Sequence, residues 1–536
     1  MGAPLPHQVL HQRTAQPAIS LPKAPSNEEL AFDWTLSPKE IAFILSHRGD
    51  ENLLRLAVQI CVLRKQGRFL LDYQRLVPAI LGYLAQQLDI APVAALSGRA
   101  RSSTESGYQR EVAQLLGWTP FDDEAETSLR SWIADQVAEH LYVEDLVERC
   151  EHLLRERKII LPGRVAFERV VNSAYFHAEH LIFERLAAQI PERTRGEIDR
   201  LLGEEQDEAT GKSDFFRFAE YPPEAKAMHL RTFLDRYEAL RPLHLQGVMR
   251  AGIGPRLVQE LSQAARTYDA WRIKRFAPEK RYALAACFLF EARRHLLDYL
   301  VDMHAQFMTT MNREARNLWE KEYRQARKRA RQSMGTLRRF AQVALALTGA
   351  PQTPIRTLLG DTDTVALEAA IAESAHFEHL TRFGLLDRLL AKYTNFRKYF
   401  PRFVDLGFGC EPGSEALLEA IELLRRLNQR KETRLPLEAP DGFVPQAWRA
   451  YLDGSDPSRR RRTWEIALAL AIKDALRSGN LYVPMSRRHL PFWNLCYDEA
   501  AWTRVRTTAF EELGLPAEGQ AAVVAEIGRA SCRERV

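Results

Sequence analysis

The chain has 536 residues but only six cysteines, at 61, 150, 287, 410, 496 and 532, with no C-x-x-C pair among them. This spacing excludes a zinc knuckle or a disulfide framework and fits reduced, mostly buried thiols in a cytoplasmic protein. Glycine is sparse too: 27 residues, about 5% against a usual ~7%, which disfavours turn-rich all-β architectures. No stretch runs 18 apolar residues without charge, so no membrane partner is expected, and the first 25 residues lack the apolar core of a signal peptide. Nor does one charge dominate. The 75 basic and 70 acidic residues leave +5, too little to identify a partner, so the distribution matters more than the total.

Catalytic signatures are missing as well. There is no G-x-x-x-x-G-K-[ST] phosphate loop, no G-x-S-x-G elbow and no H-E-x-x-H pair. Gly252-Ile253-Gly254-Pro255 follows no strand, and Pro255 lacks the N–H that a dinucleotide loop needs. His177-Ala178-Glu179-His180 and His376-Phe377-Glu378-His379 each bring two imidazoles to one helix face, too few ligands for a metal centre. From these residues alone the chain is not identified as an enzyme, and no cofactor is expected in it.

What the sequence has is apolar content and helix punctuation. Hydrophobic residues at 46% and charged residues at 27% suit a globular protein, and the length gives a prior of about three or four domains. In Ser37-Pro38-Lys39-Glu40, a Ser N-cap, a Pro at the first helical position and a Glu three residues on form a capping box. It predicts a helix to about His47. Gly49 and Asp50 make a turn and a new N-cap, and a second helix runs from Glu51 to about Lys65, closed by Gly67. Further helices are expected over 78–88, 108–116, 128–157 and 164–189, and only 480–485 looks strand-like. Polar breaks at 203–213 and 349–354 divide the chain into a disordered leader (1–26) and three helical regions, 27–205, 206–348 and 355–525.

Basic residues concentrate in a few places. Between Met311 and Phe340 stand Arg313, Arg316, Lys321, Arg324, Arg327, Lys328, Arg329, Arg331, Arg338 and Arg339 against Glu314, Glu320 and Glu322; ten minus three leaves seven excess positive charges. On a helix these ring much of the circumference, which suits either a phosphate backbone or a solvated coiled-coil face. Arg459, Arg460, Arg461 and Arg462 open a helix after Asp456-Pro457-Ser458. Cations there oppose the helix dipole and call for an anion, either a DNA phosphate or a neighbouring carboxylate. Lys274 and Arg275 form a smaller group. On the second helix, Arg48, Asn52, Arg55 and Gln59 share one face, with Arg64 near its end. Their side chains match guanine and adenine edges in a major groove, although any amphipathic helix has a polar face.

The order of several short motifs resembles the N-terminal half of the Tn-three family of replicative transposases. The similar segments are Leu36-Ser37, Arg48 to Asn52, Ala57 to Cys61, Leu63-Arg64, Gly67-Arg68, Gln87-Leu88, Leu116-Gly117-Trp118 and Ile159 to Gly163. Downstream they continue with Arg281-Tyr282-Ala283, Asp298 to Met303, Phe443-Val444-Pro445 with Trp448, Arg477 to Val483 and Ser486-Arg487-Arg488. The resemblance implies a mainly α, multi-domain protein with helix-turn-helix-like N-terminal modules. It also implies a homodimer on double-stranded DNA bearing terminal inverted repeats, with magnesium needed only by a downstream carboxylate core absent from this chain. The rival reading is a helical protein-interaction scaffold. The tail 526–536 resembles the translation of a sequencing adapter, so the record is expected to be truncated there.

Overall fold

The computed structural model describes residues 25–96, 102–141, 145–203, 214–346, 364–454, 456–491 and a few positions up to 506. Most of the expected leader, the run from 204 to 213, the 349–354 break and the 526–536 tail lie outside the described residues. The fold is mainly α-helical. Packing divides the chain into two units: Met1–Phe215 with Leu243–Glu291, and Phe216–Pro242 with Ala292–Val536.

In the first unit, α1 (Asn27–Trp34) and α2 (Pro38–Leu45) both start from complete capping boxes, Ser26 with Glu29 and Ser37 with Glu40. Helix α3 (Asp50–Gln66) begins after Gly49 at φ +91°, so Asp50 is the first helical residue rather than the cap, and it ends at Gly67, φ +69°. Then follow α4 (Pro78–Leu88), α5 (Ser102–Leu116), α6 (Asp123–Glu139), α7 (Leu146–Glu156), α8 (Arg164–Ala188) and α9 (Glu192–Gly203). The single helix expected over 128–157 is two. The chain breaks at Leu141, whose N–H donates to Glu260 (2.6 Å) and whose carbonyl accepts from the Tyr175 hydroxyl (2.8 Å), and α7 restarts after Asp145 at φ +51°. Those partners lie more than 30 residues away, beyond the reach of local periodicity.

Helix α3 is the core of this unit, with every residue from Leu53 to Leu63 buried. Gln87 ties its neighbours together, accepting from Leu36 N–H (2.8 Å) and donating to the Trp34 carbonyl (3.0 Å). At Gly67 the end of α3 meets two other segments: its carbonyl accepts from Leu161 N–H at 2.8 Å, and a Cβ there would approach Arg155, Leu161 and Trp118 within 3.3 Å. Positive φ and crowding both require glycine.

The second unit contains α10 (Ala227–Leu240), the body of α12 (Pro278–Ala346), α13 (Thr364–Ala391), α14 (Glu415–Gln429) and α15 (Pro457–Ser478). Helix α11 (Pro255–Arg266) and the first turns of α12 belong to the first unit. At 69 residues α12 is roughly 100 Å long. The strand-like stretch contracts to β2 (Leu481–Tyr482), antiparallel to β1 (Gly409–Cys410). Gly409 makes room for the Tyr482 ring, which a Cβ would meet at 2.4 Å.

Two buried polar sites tie α12 into this unit. The Asp298 carboxylate accepts from the Ser486 hydroxyl (2.5 Å) and from the N–H groups of Arg487 (2.9 Å) and Arg488 (3.2 Å). His304 is fully buried, stacked on Phe403 with centroids 4.1 Å apart. Its Nε2 lies 3.2 Å from the Ala469 carbonyl, which can only accept, so Nε2 carries the proton and Nδ1 accepts from the Tyr399 hydroxyl (3.0 Å). Among the described residues, no helix is long and apolar enough to cross a membrane. Cys61, Cys150 and Cys287 are buried free thiols, and burial pushes those of Cys61 and Cys150 up to about 12.

Burial holds the His304 imidazole down to about 3, with the Ala469 hydrogen bond acting in the opposite direction. The folded-state value is depressed, so the unfolded chain binds the extra proton. Stability is complete above about pH 6.5 and falls as pH drops towards 3, by up to about 1.4 kcal/mol per unit. In urea melts from pH 7 to 4.5, His304→Gln is expected to show a shallower loss than the wild type; parallel curves would exclude this assignment.

Candidate nucleic-acid interface

The Met311–Phe340 segment lies wholly in α12, and all ten of its basic residues are exposed. They do not ring the helix. At 100° per residue, nine of them, all but Arg329, fall within an arc of roughly 140°, and the rise from Arg313 to Arg339 makes this a stripe roughly 39 Å long. Glu320, paired with Arg324 at 3.5 Å, is the one acid within the arc, so nine minus one leaves eight excess charges.

Helix α13 covers the opposite face. Trp319 Nε1 donates to the Leu380 carbonyl (3.0 Å) where Gly384 leaves space for the indole, and Tyr323 packs on Phe377 at 5.3 Å. Glu314 pairs with Lys392, which follows α13, Glu322 with Arg388, and Arg329 with Glu373 at 2.8 Å. Numbers rise along α12 as they fall along its partner, so the two run antiparallel. Two of the three segment acids are thus neutralised by cations from outside it, and the stripe's own cations stay with solvent.

The four arginines of 459–462 divide differently. Asp456 caps α15 by accepting from Ser458 and Arg459 N–H groups. Arg459 pairs with Asp387 and lies 4.0 Å over the Tyr451 ring, while Arg460 donates to the Pro436 and Leu437 carbonyls at 3.3 Å. Arg461 is buried and pairs with Glu465 at 2.7 Å. Arg462 alone of the four is exposed, 5.4 Å over the Tyr393 ring. The anions this helix start called for are therefore carboxylates of the protein itself. Glu465, 0% exposed, also holds Arg397 and accepts from the Tyr393 hydroxyl at 2.8 Å.

The polar stripe on α3 requires correction. Arg55 is buried, pairs with Glu51 (2.9 Å) and lies 4.7 Å over the Tyr73 ring. Gln59, also buried, bridges Leu70 through both its carbonyl and its amide and donates to the Tyr73 hydroxyl at 2.6 Å. Arg64 staples the α1–α2 turn, donating to Glu40 (3.1 Å) and the Thr35 carbonyl (2.8 Å). Polar side chains here satisfy buried backbone and carboxylate groups, and α5 packs against α3. Only Arg48, exposed, and Asn52, half-buried and bonded to the Arg48 carbonyl at 3.1 Å, remain at the start of α3. In the same unit, Lys274 and Arg275 are exposed, and Arg275 lies 4.4 Å over the exposed Trp271 ring.

Comparison with known proteins gives these surfaces a context. The chain is 20% identical over 473 residues to the transposase for transposon Tn1546 of Enterococcus faecium and 23% over 487 to that for Tn501 of Pseudomonas aeruginosa, in both cases covering 88% of this chain and 48% of the relative. It is 25% identical over 500 residues to the transposase for Tn21 of Escherichia coli, covering 90% and 49%. The chain is a homologue of the Tn-three family transposases. It spans about half the length of the curated relatives it matches. A family model described as "Domain of unknown function (DUF4158)" matches residues 9–174, which include α1 to α7.

In this transposase homologue the family-like motifs meet in space. Leu36 and Gln87 bond to each other, Gly67 meets Trp118 and Leu161, and Asp298 receives Ser486, Arg487 and Arg488. Sequence reasoning missed the pairing of Asp298 with residues 486–488 and of Arg397 with Glu465, because those partners lie 188–190 and 68 residues apart. Glu465, four residues after Arg461, fits the neighbouring carboxylate that the 459–462 run called for.

Removing a carboxylate that compensates two guanidiniums leaves buried charge unpaired, so Glu465→Gln is expected to destabilise the chain by about 3–5 kcal/mol. Arg331→Gln on the exposed stripe should stay within about 0.5 kcal/mol. Denaturant midpoints compare the two, and similar losses would contradict the assignment of one as structural and the other as surface.

Proposed function

We infer that the chain binds duplex DNA at the terminal inverted repeats of a mobile element, as the DNA-holding half of a dimeric transposase. The observation that carries this reading is the α12 stripe: eight excess charges on one exposed face, with the two acids outside it, Glu322 and Glu314, paired to Arg388 of α13 and to Lys392 just beyond it. A cationic rod of that length can lie along several successive phosphates and release their condensed counterions. Lys274 and Arg275 in the first unit add phosphate contacts, while Arg55, Gln59, Arg64 and Arg461 serve the fold. Any helix-turn-helix use of α2 and α3 must work through the exposed start of α3, Arg48 with Asn52, because the middle of the helix has no open face. These contacts set affinity and position; base-edge contacts supply specificity.

Strand nicking and transfer belong, in this reading, to the part of the relatives that the chain does not match. Among the described residues no three His, Cys, Asp or Glu side chains come together to hold a metal ion. Magnesium for such chemistry would, in this reading, be held by that same part of the relatives.

The test is a salt titration of the wild type and the quadruple variant Arg324→Gln, Arg327→Gln, Lys328→Gln, Arg331→Gln on inverted-repeat and scrambled duplexes. The wild type should prefer the repeat and weaken steeply with salt, and the variant should lose roughly three to four units of log–log slope. An unchanged slope, or binding insensitive to salt, would favour a protein-interaction scaffold.

A further inference from the structure

A cleft of about 630 Å³ opens in the second unit where the end of α14, the turn Tyr393–Arg397 and the start of α15 converge. We propose that this cleft is a phosphoryl-binding site, formed on a floor of Arg397 and Arg461 and a rim of Lys431, Arg434 and Arg462. The floor is built rather than incidental. Glu465 beneath it fixes both guanidiniums, and Asn428 Oδ1 accepts from Arg397 at 3.0 Å and from Arg461 at 3.3 Å. Arg461 also donates to the Glu432 carbonyl; each guanidinium has five N–H bonds, and with that bond counted these contacts still leave donors unspent.

The rim cations are exposed, and no carboxylate pairs with them among the described residues. The two rim acids are engaged elsewhere: Asp456 caps α15, and Glu432 lies 3.8 Å from Arg430. Counting Glu465, five cations against three acids leave +2 around one cavity. Lys431 is the left-handed residue closing α14, φ +56°, with Glu432 N–H returning to the Leu427 carbonyl at 2.9 Å. Glycine is the favoured residue at that position of a helix C-terminus, so a lysine here trades backbone comfort for a charge at the cleft.

The phosphoryl group could come from a DNA backbone or from a free phosphate, and the DNA case rests on the function proposed above. The experiment uses the full chain, Lys431→Gly, and the triple variant Lys431→Gly, Arg434→Gln, Arg462→Gln. Inorganic pyrophosphate is titrated by thermal melting and duplex DNA by salt-dependent affinity. Without ligand, Lys431→Gly should melt higher than the wild type, because glycine relieves the left-handed residue, so any lost binding is not lost folding.

With pyrophosphate well above its dissociation constant, the wild type should gain about 2–4 °C and the triple variant close to nothing. On duplex DNA the triple variant should lose two to three units of salt slope, on the order of one per phosphate contact. Loss of the pyrophosphate response alone supports the site with a free phosphate as its ligand, and loss of slope alone supports it with DNA as its ligand. Variants indistinguishable from the wild type in both assays would overturn the proposal, even if the α12 variants still lose DNA binding. That combination leaves the DNA-binding reading intact.

Discussion

A helix that crowds like charges at three- and four-residue spacing works against itself, each pair by roughly 0.2–0.5 kcal/mol. Helix α12 sustains its cationic stripe because α13 covers the other side. An indole seated over a glycine, a tilted aromatic pair, two ion pairs and a third to Lys392 just beyond α13 hold the two helices in antiparallel register. The acids are drawn to the covered face and the cations are left outside. Charge segregation across one helix is therefore a packing result, and the open electrostatic surface follows from what lies beneath it.

The same sorting operates at the start of α15, at the scale of single residues. Four consecutive arginines share one composition and have four different fates: stacked and paired, bonded to carbonyls, buried on a carboxylate, and exposed. Successive residues on a helix point 100° apart, so a run of like residues samples every environment around the axis. A basic run therefore identifies a helix face only where its members recur at helical spacing, as they do along α12.

Much of the fold was legible locally. The Ser37 capping box, the Gly67 stop and the Pro78 start mark real boundaries, because capping is chemistry between neighbours. The break at Leu141 was hidden because its stabilising partners, Tyr175 and Glu260, are distant in the chain. At the candidate site, the basic segment of α12 was visible but its one-sidedness was underestimated. The α3 stripe misled for a related reason: Arg55 and Gln59 are polar, yet their partners Tyr73, Leu70 and Glu51 allow them to be buried. Side-chain polarity predicts a need for partners, and water is only one way to meet it.

The Asp298 carboxylate illustrates what such long-range pairing demands of the chain as a physical object. Its donors arrive from residues 486 to 488, almost two hundred positions later, and a buried carboxylate that loses such partners bears the cost of its own desolvation. A shortened derivative ending ahead of that turn would retain the long helix intact in sequence while taking away the donors of its Asp298 carboxylate. Dissection of the molecule into pieces is thus governed by where its hydrogen-bond accounts close, and breaks in composition are a poor guide to where it can be cut.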